Sequence, residues 1–301
     1  MKLLTIGNPK IEKGKKFGFL TSILHLAPHT LSGWNVCPMA SKGCAMSCLN
    51  TAGRGGMIKL GETTNYIQQA RITRTRMFFE EREKFMAQLV DEIRSAISLA
   101  EKNDLTPVFR LNGTSDLRWE IFGVTVDGVD YPNIMAVFPN IQFYDYTAIP
   151  NRRIAHIPNY HLTFSRKETH TEQDVYDVLA NGMNVAVVFG KDAPKIRLFK
   201  SLAQKLAERS KRDAARERNA DKPKKSYQPR KIDLSWVPEN YAGFPTHHGD
   251  NSDLRFMDPK GVVVALVAKG AAKYDTSGFV VFVKTISEVK KTISDFMKEL
   301  V

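Results

Sequence analysis

Apolar residues along the chain form two patterns, short continuous runs and longer stripes with helical spacing. Six short runs are typical of strands, at residues 17–28, 108–111, 141–144, 160–164, 185–189 and 262–267. Apolar residues three and four positions apart predict helices, a long one over 65–100 and shorter ones over 133–138, 171–180 and 286–300. Strands that alternate with helices indicate a mainly parallel sheet. We therefore predict a single α/β domain over residues 1–301, its sheet forming a partial or complete (β/α) barrel.

Polar residues follow directly after most of the predicted strands. In a parallel α/β sheet these carboxyl ends lie on one face, where active sites are built. The turn 112–116, with the sequence Asn-Gly-Thr-Ser-Asp, is one such end. Because acids and a lysine recur at these ends, the pattern predicts a functional site. The candidates for catalysis or polar contact are Asp116, Glu120, Asp145, Glu168, Lys191, Asp250 and Asp253.

Positive charge is concentrated in one segment. The chain has a formal net charge of +12, and residues 195–231 hold fourteen lysines and arginines against four acids. This density favours contact with a polyanion through phosphate neutralisation. We predict a basic insertion over 195–232, helical at first and a flexible arm later, whose partner is DNA, RNA or an acidic protein. The residues expected to contact nucleic acid are Lys205, Arg209, Lys211, Arg212, Arg216, Arg218, Lys222, Lys224, Lys225, Arg230 and Lys231.

Outside this segment the chain is nearly neutral, and its hydrophobic fraction of 43% excludes a wholly disordered protein. Four arginines in the first half of the long helix, Arg71, Arg74, Arg76 and Arg82, are interpreted as a solvated face. The sequence contains no run of 18 apolar residues and no apolar segment typical of a secretory signal at its start. We expect a cytoplasmic protein without a membrane span.

All three cysteines lie within twelve residues, in the spacing C-x6-C-x3-C formed by Cys37, Cys44 and Cys48. An odd number of cysteines in a chain without a secretory signal argues against a disulfide framework. Three converging thiolates can hold either an iron–sulfur cluster or a zinc ion. On a four-iron cluster they leave one iron free for another ligand, whereas zinc needs a fourth protein ligand, for which His25 or His29 is nearest in sequence.

The cysteine loop and the later polar turn carry a family resemblance. The matching residues are Cys37-Pro38-Met39-Ala40-Ser41-Lys42-Gly43-Cys44, together with Cys48 and the turn 112–116. An early strand, a three-cysteine loop, a long helix and a strand that ends in a glycine-bearing turn resemble the radical S-adenosylmethionine superfamily. The motif is more closely similar to uncharacterised phage and plasmid proteins of the form Cys-Pro-x-Ala-Ser-x-Gly-Cys.

The resemblance implies that Cys37, Cys44 and Cys48 bind three irons of a [4Fe–4S] cluster. The fourth iron would bind the amino and carboxylate groups of S-adenosylmethionine, and reduction would cleave the sulfonium to give a 5′-deoxyadenosyl radical. The residues expected to contact this cofactor are Asn112, Gly113, Thr114, Ser115, Asp116, Thr147 and Ser165.

Three hypotheses about function follow. The first is an iron–sulfur enzyme that resembles radical S-adenosylmethionine enzymes and acts on a nucleic acid or nucleotide. The second is a non-catalytic nucleic-acid-binding protein with a structural zinc. The third is a Mg²⁺-dependent nuclease or hydrolase that uses the carboxylates of Asp116, Asp145, Asp250 and Asp253.

Overall fold

A computed structural model describes residues 1–7, 9–58, 62–150, 152, 154–196, 202–218 and 233–284. Its strands are β1 (Leu4–Thr5), β2 (Phe19–Leu24), β3 (Thr106–Arg110), β4 (Val124–Val126), β5 (Val129–Tyr131), β6 (Gln142–Thr147), β7 (Tyr160–Ser165), β8 (Val185–Lys191), β9 (Asn240–Tyr241), β10 (Phe244–His248), β11 (Val263–Val267) and β12 (Val280–Val283). Its α-helices are α1 (Pro9–Lys15), α2 (Lys42–Met46), α3 (Tyr66–Glu80), α4 (Arg82–Glu101), α5 (Ile134–Val137), α6 (Glu172–Ala180) and α7 (Leu202–Glu217).

Ten of the strands form one sheet in the order β1-β2-β3-β6-β7-β8-β11-β10-β9, with β12 also paired to β8. Neighbouring strands from β2 to β10 in this order run parallel, and β1 and β9 are antiparallel additions at the two ends. The prediction of an α/β fold with a mainly parallel sheet is confirmed. Among the described strands, no pairing joins β1 to β9, so closure into a barrel is not seen there.

Strand β8 has two partners along the same edge. Its first residues pair with β7, where Phe164 lies opposite Val185, and its last residues pair with β12, where Val283 lies opposite Lys191. A side chain on Gly190 would overlap the Phe282 ring, so glycine is required for this close approach. The late strand β12 thereby extends the sheet at its carboxyl edge.

Helices cover one face of the sheet. Phe78 and Phe85 are fully buried and stack edge-to-face with ring centroids 5.3 Å apart, in the cluster that also contains Phe109 of β3. The predicted helix over 65–100 is divided at Glu81 into α3 and α4. Arg82 explains the division, because its Nε donates to the Phe78 carbonyl at 2.6 Å, the oxygen that an unbroken helix would use itself.

The interpretation of these arginines as a solvated face is wrong for Arg71, Arg74 and Arg82, which are buried or half-buried, whereas Arg76 is exposed. Arg71 is buried, and Arg74 and Arg76 donate hydrogen bonds to the backbone carbonyls of Lys2 and Ser32. The remaining arginine, at the start of α4, lies with its guanidinium carbon 3.8 Å from the centroid of a phenylalanine ring. Each guanidinium therefore ties a helix to another segment.

The opposite face of the sheet is covered by the segment between β10 and β11. Successive side chains along a strand point to opposite faces of the sheet. Tyr144 therefore points away from the helices that cover Phe143. Its ring packs 5.3 Å from that of Phe256, which also contacts Phe19 at 5.5 Å. Arg255 is fully buried beside them and pairs with Asp258 at 3.1 Å. This segment therefore packs on the face of the sheet opposite α3 and α4.

The basic insertion is described in part. Lys205, Arg209 and Arg216 lie in α7, and the side chains of Lys211, Arg212 and Arg218 are exposed. The remaining predicted contacts, Lys222, Lys224, Lys225, Arg230 and Lys231, lie outside the described residues, as does the predicted helix over 286–300. No helix within the described ranges has the length and apolar character needed to cross a membrane.

Candidate functional site

A cavity of about 300 Å³ lies at the carboxyl ends of the parallel strands. The predicted site residues that line it are Cys37, Cys44, Cys48, Asn112, Gly113, Thr114, Ser115, Asp116, Thr147, Ser165, Asp250 and Asp253. Four further candidates, Glu120, Asp145, Glu168 and Lys191, do not line this cavity, and Lys191 lies in a neighbouring one. The fold thus brings the cysteine loop and the polar strand ends together.

The cysteine loop is fixed by residues from the end of β7. Ser41 caps α2, and its hydroxyl donates to a carboxylate oxygen of Glu168 at 2.6 Å. The other oxygen of Glu168 accepts the backbone N–H of Gly43, also at 2.6 Å. Lys167 is buried and donates to the Met39 carbonyl at 2.8 Å. Glu168 and Lys167 therefore hold the loop over the cavity, and hydrogen bonding lowers the pKa of the Glu168 carboxyl despite its partial burial.

The three thiols share one electrostatic environment. Burial, together with the charge of the neighbouring Cys48, raises the pKa of Cys37 to about 12 and that of Cys44 to about 11. Burial also raises the pKa of Cys48. Positive charge acts in the other direction, since Arg71 lowers the pKa of Cys48 and Lys167 lowers that of Cys44. A cationic centre between the thiols would favour their thiolate forms.

A single metal ion needs donor side chains that converge on one point. In the part of the chain that the structure describes, no group of three or more histidine, cysteine or carboxylate side chains is placed to hold one. Tetrahedral zinc needs its ligands about 2.0–2.3 Å from a common centre. The cysteines and His25 or His29 do not provide that arrangement. A four-iron cluster instead binds each thiolate through a different iron atom. It therefore needs three thiols along the wall of one cavity, and these need not converge on one point.

The side chain of Asn112 shapes the polar turn rather than facing a ligand. Its carbonyl oxygen accepts hydrogen bonds from the Ser115 hydroxyl and the Leu117 N–H, both at 2.9 Å. The indole N–H of Trp119 donates to the same oxygen at 3.2 Å, and the amide of Asn112 donates to the Leu117 carbonyl. These hydrogen bonds use the Asn112 side chain inside the turn, and the residues of the turn line the cavity.

The same turn is pressed against the end of β2. Gly113 donates its N–H to the Leu24 carbonyl at 2.9 Å, and a Cβ at Gly113 would lie 2.6 Å from a methyl carbon of Ile23. Thr114 donates its hydroxyl to the Leu26 carbonyl at 2.6 Å. Glycine is therefore required here because the two backbones approach closely.

Asp145 holds the turn from below. Its carboxylate is fully buried, accepts the Asn112 N–H at 2.7 Å and accepts the Tyr160 hydroxyl at 3.1 Å. Burial raises the pKa of Asp145 to about 7, because the charged form loses its hydration. Asp145 is therefore a structural support for the turn.

Asp116 and Glu120 share one arginine. Arg152 donates to Glu120 at 3.1 Å through its Nε, forms a shorter second contact with the same carboxylate, and lies 3.4 Å from an oxygen of Asp116. The other oxygen of Asp116 accepts the Ala148 N–H at 2.7 Å. Burial raises the pKa of Asp116 although these partners oppose the shift. Of the two acids, only Asp116 lines the cavity.

Asp250 and Asp253 enter the cavity with basic partners. Asp250 forms an ion pair with Lys269, and its backbone carbonyl accepts a hydrogen bond from the ammonium of Lys13 at 2.7 Å. Arg110 pairs with Asp253 at 2.8 Å, and both side chains are largely buried. The cavity wall on this side therefore consists of fixed charge pairs.

Several basic residues of the site were not among the candidates from sequence. Arg110 interrupts an apolar strand run and Lys269 follows the last predicted strand, so both positions carried a signal in the sequence. Lys13 and Arg152 lie in segments without a recognisable sequence pattern. Only the fold brings Lys13 to the cavity and Arg152 to Asp116.

The comparison with family models matches residues 2–282 to a family described as Gene product 88. The chain belongs to the Gene product 88 family. The expected relation to phage-type proteins is thus confirmed at the level of the family, whereas the resemblance to radical S-adenosylmethionine enzymes stays a prediction. No curated protein and no solved structure matches this chain.

For this member of the Gene product 88 family, we predict that Glu168→Ala loosens the cysteine loop. A hydrogen bond to a charged acceptor contributes about 1.5–3 kcal/mol, so amide exchange over residues 41–48 is expected to rise roughly tenfold to a hundredfold. Hydrogen–deuterium exchange measures this directly. Glu172→Ala, at an exposed position near the start of α6, is the matched control and leaves that exchange unchanged. Equal exchange in both variants contradicts the role given to Glu168.

The raised pKa of Asp145 predicts that the free energy of unfolding depends on pH. Because its folded-state pKa lies near 7 rather than near the ordinary aspartate value of 3.8, the folded chain binds the proton more tightly than the unfolded chain. Its effect is to lower the free energy of unfolding as pH rises from about 4 to about 7, by up to about 1.4 kcal/mol per pH unit.

Asp145→Asn removes this contribution. Urea unfolding at several pH values is expected to show the variant gaining stability relative to the wild type as pH rises across that window. Asp130→Asn, at an exposed position, serves as the control and follows the wild type. Parallel curves for the wild type and Asp145→Asn would refute a raised pKa at this carboxyl.

Proposed function

We propose that this protein is an iron–sulfur enzyme of the radical S-adenosylmethionine type, built on a partial (β/α) barrel, that acts on a nucleic acid or nucleotide. The observation that carries the proposal is the shared cavity. Cys37, Cys44 and Cys48 line it together with the turn 112–116, at the carboxyl edge of a parallel sheet. That edge is where ligands bind in α/β folds.

The donor set fits the proposed cluster in number and charge. Cys37, Cys44 and Cys48 would hold it, and three thiolates leave one iron open to a further ligand. When bound, such a cluster supplies an electron for the reductive cleavage of S-adenosylmethionine. Three thiolates bring negative charge, and Arg71 and Lys167 already act on two of the cysteines to stabilise it. Metal binding is coupled to the ordering of its ligands, so the proposal does not require a preformed ion site.

The chain's own residues would bind and shield the cofactor. The carboxylate of Asp116, fixed by Ala148 and Arg152, offers a negative charge to the amino group of a bound amino acid. Thr114 and Ser115 present backbone groups of the turn to the same cavity. Much of the remaining wall is apolar, and apolar surface around a bound cofactor would limit the access of water to a reactive intermediate.

The proposed substrate class rests on charge. Lys211, Arg212 and Arg218 are exposed in and directly after α7, and ten of the chain's twelve excess positive charges lie in residues 195–231. Lysine and arginine bind phosphates without reading sequence. The segment would hold the polymer while the reaction takes place at the carboxyl edge.

The two alternatives have less support. A Mg²⁺-dependent hydrolase needs carboxylates that converge on an ion, but Asp116, Asp250 and Asp253 each pair with a different basic residue, and Asp145 is buried beneath the turn. A structural zinc needs a fourth ligand beside the three cysteines, and neither His25 nor His29 lines the cavity of the cysteines.

The cluster is tested by purification without oxygen. We expect a brown protein with about four irons and four sulfides per chain, which under dithionite converts S-adenosylmethionine to 5′-deoxyadenosine and methionine. Serine in place of each cysteine singly is expected to abolish the colour and this activity. Met46→Ser, at an exposed position of the same loop, is the control and retains both.

The alternatives give different results in the same experiment. A colourless protein with one tightly held zinc would support the zinc hypothesis. Metal-free protein whose nuclease activity needs added Mg²⁺, and persists when all three cysteines are serine, would support the hydrolase. Either result would refute the cluster.

Binding of nucleic acid is tested by deleting residues 209–231. Each phosphate contact that is lost lowers the slope of log affinity against log salt by about 0.7–0.9, so the deletion is expected to flatten the salt dependence of oligonucleotide binding. Titrations between about 50 and 200 mM salt measure the slope, and circular dichroism checks that the core stays folded. An unchanged slope would show that the segment has a different partner.

A further inference from the structure

A second cavity, of about 230 Å³, lies beside the first. It is formed at the end of β8 by Gly190 and Lys191, with Phe282 of β12 on one side and Trp236 on another. The position is again the carboxyl edge of the sheet, where α/β folds bind ligands. The function proposed above makes no use of this cavity.

Three lysines, Lys191, Lys195 and Lys273, line the second cavity. Lys191 lies 3.8 Å from Asp233, but both side chains are largely exposed, so this ion pair contributes little. Within the described ranges, no carboxylate forms an ion pair with Lys195 or Lys273. Three lysines along the wall of one small cavity bring an excess of positive charge that an anion would balance.

An aromatic wall accompanies the lysines. The indole N–H of Trp236 donates to the Asp233 carbonyl at 2.8 Å, which fixes the ring, and Trp236 is only partly buried. Phe282 and Val267 add apolar surface. A fixed indole with an exposed part offers a flat surface for the ring or sugar of a ligand. The cavity therefore combines anion recognition with apolar contact.

The two cavities share part of their walls. Val267 lines both, and the short helix Gly270–Tyr274 gives Ala272 to the first cavity and Lys273 to the second. Lys195, the first residue of the basic segment, is tied to this helix because its N–H donates to the Lys273 carbonyl at 2.8 Å. The second cavity thus lies between Lys195, where the basic segment begins, and the cysteine cavity.

We propose that the second cavity binds the phosphate ester of a nucleotide, with Lys191, Lys195 and Lys273 around the phosphate and Trp236 against the attached sugar or base. The proposal deepens the function above and rests on it for the substrate class. A nucleotide held there would place the next unit of the same strand at the cysteine cavity. The phosphate could belong to a free nucleotide or to a polynucleotide.

The test compares two variants with equal net charge. The first carries Lys191→Gln, Lys195→Gln and Lys273→Gln. The control carries Lys84→Gln, Lys102→Gln and Lys260→Gln, three exposed positions away from the cavity. Calorimetry measures the binding of 5′-AMP, of adenosine and of a single-stranded deoxyoligonucleotide to each protein. Thermal unfolding confirms that both variants are folded.

The first variant is expected to bind a phosphate-bearing ligand roughly tenfold or more weakly than the wild type, because hydrogen bonds between charged groups contribute at least that factor. The control keeps wild-type affinity, and adenosine binds weakly to all three proteins. Tight binding of 5′-AMP identifies a free nucleotide as the source, whereas binding of the oligonucleotide alone identifies a polymer. Equal losses in both variants, or no binding of either phosphate ligand to the wild type, would overturn the proposal.

Fluorescence locates the ligand. Quenching of tryptophan emission by the phosphate ligand is expected to disappear in Trp236→Phe and to persist in Trp34→Phe, which changes an exposed tryptophan elsewhere. Persistent quenching in Trp236→Phe would place the ligand outside the cavity and refute the assignment. Iron and sulfide are measured on the same preparations. Phosphate binding without a cluster would refute only the enzyme proposal, and a cluster without phosphate binding would refute only this inference.

Discussion

Two adjacent residues at the end of β7 hold the cysteine loop against the sheet. Glu168 accepts hydrogen bonds from Ser41 and Gly43, and Lys167 donates to the Met39 carbonyl. These contacts join parts of the chain more than 120 residues apart. Because a loop without its own core is ordered only by such contacts, the positions of the thiols depend on this pair, and so does the cluster chemistry proposed for the cavity.

Buried charge pairs explain why acids at strand ends have structural roles. A carboxylate loses several kilocalories per mole of hydration on burial unless it is paired or protonated. Asp253 is compensated by Arg110, and Asp250 by Lys269. Asp145 instead has its pKa raised to about 7. The polar character of the strand ends therefore stabilises the rim of the site as well as supplying groups that could act on a ligand.

The sequence was most informative where local pattern decides structure. The run 262–267 predicted β11, and the polar turn after β3 predicted where the cavity lies. It was least informative where distant residues meet. The sequence near Glu81 does not predict a helix break, because neither glycine nor proline is present there. The cause is the side chain of the next residue, Arg82. The pairing of Arg110 with Asp253 spans 143 positions and is set by the fold alone.

The cavity draws its walls from both ends of the chain. Lys13 and Cys37 come from the amino-terminal part of the chain, and Lys269 and Phe279 come from its carboxyl-terminal part. A ribosome releases the amino end first, so the thiols emerge long before the last wall exists. During most of translation the cysteine loop is open to solvent and to any cellular system that delivers metal or oxidises sulfur. Docking of β12, the strand that follows Phe279, ends this window.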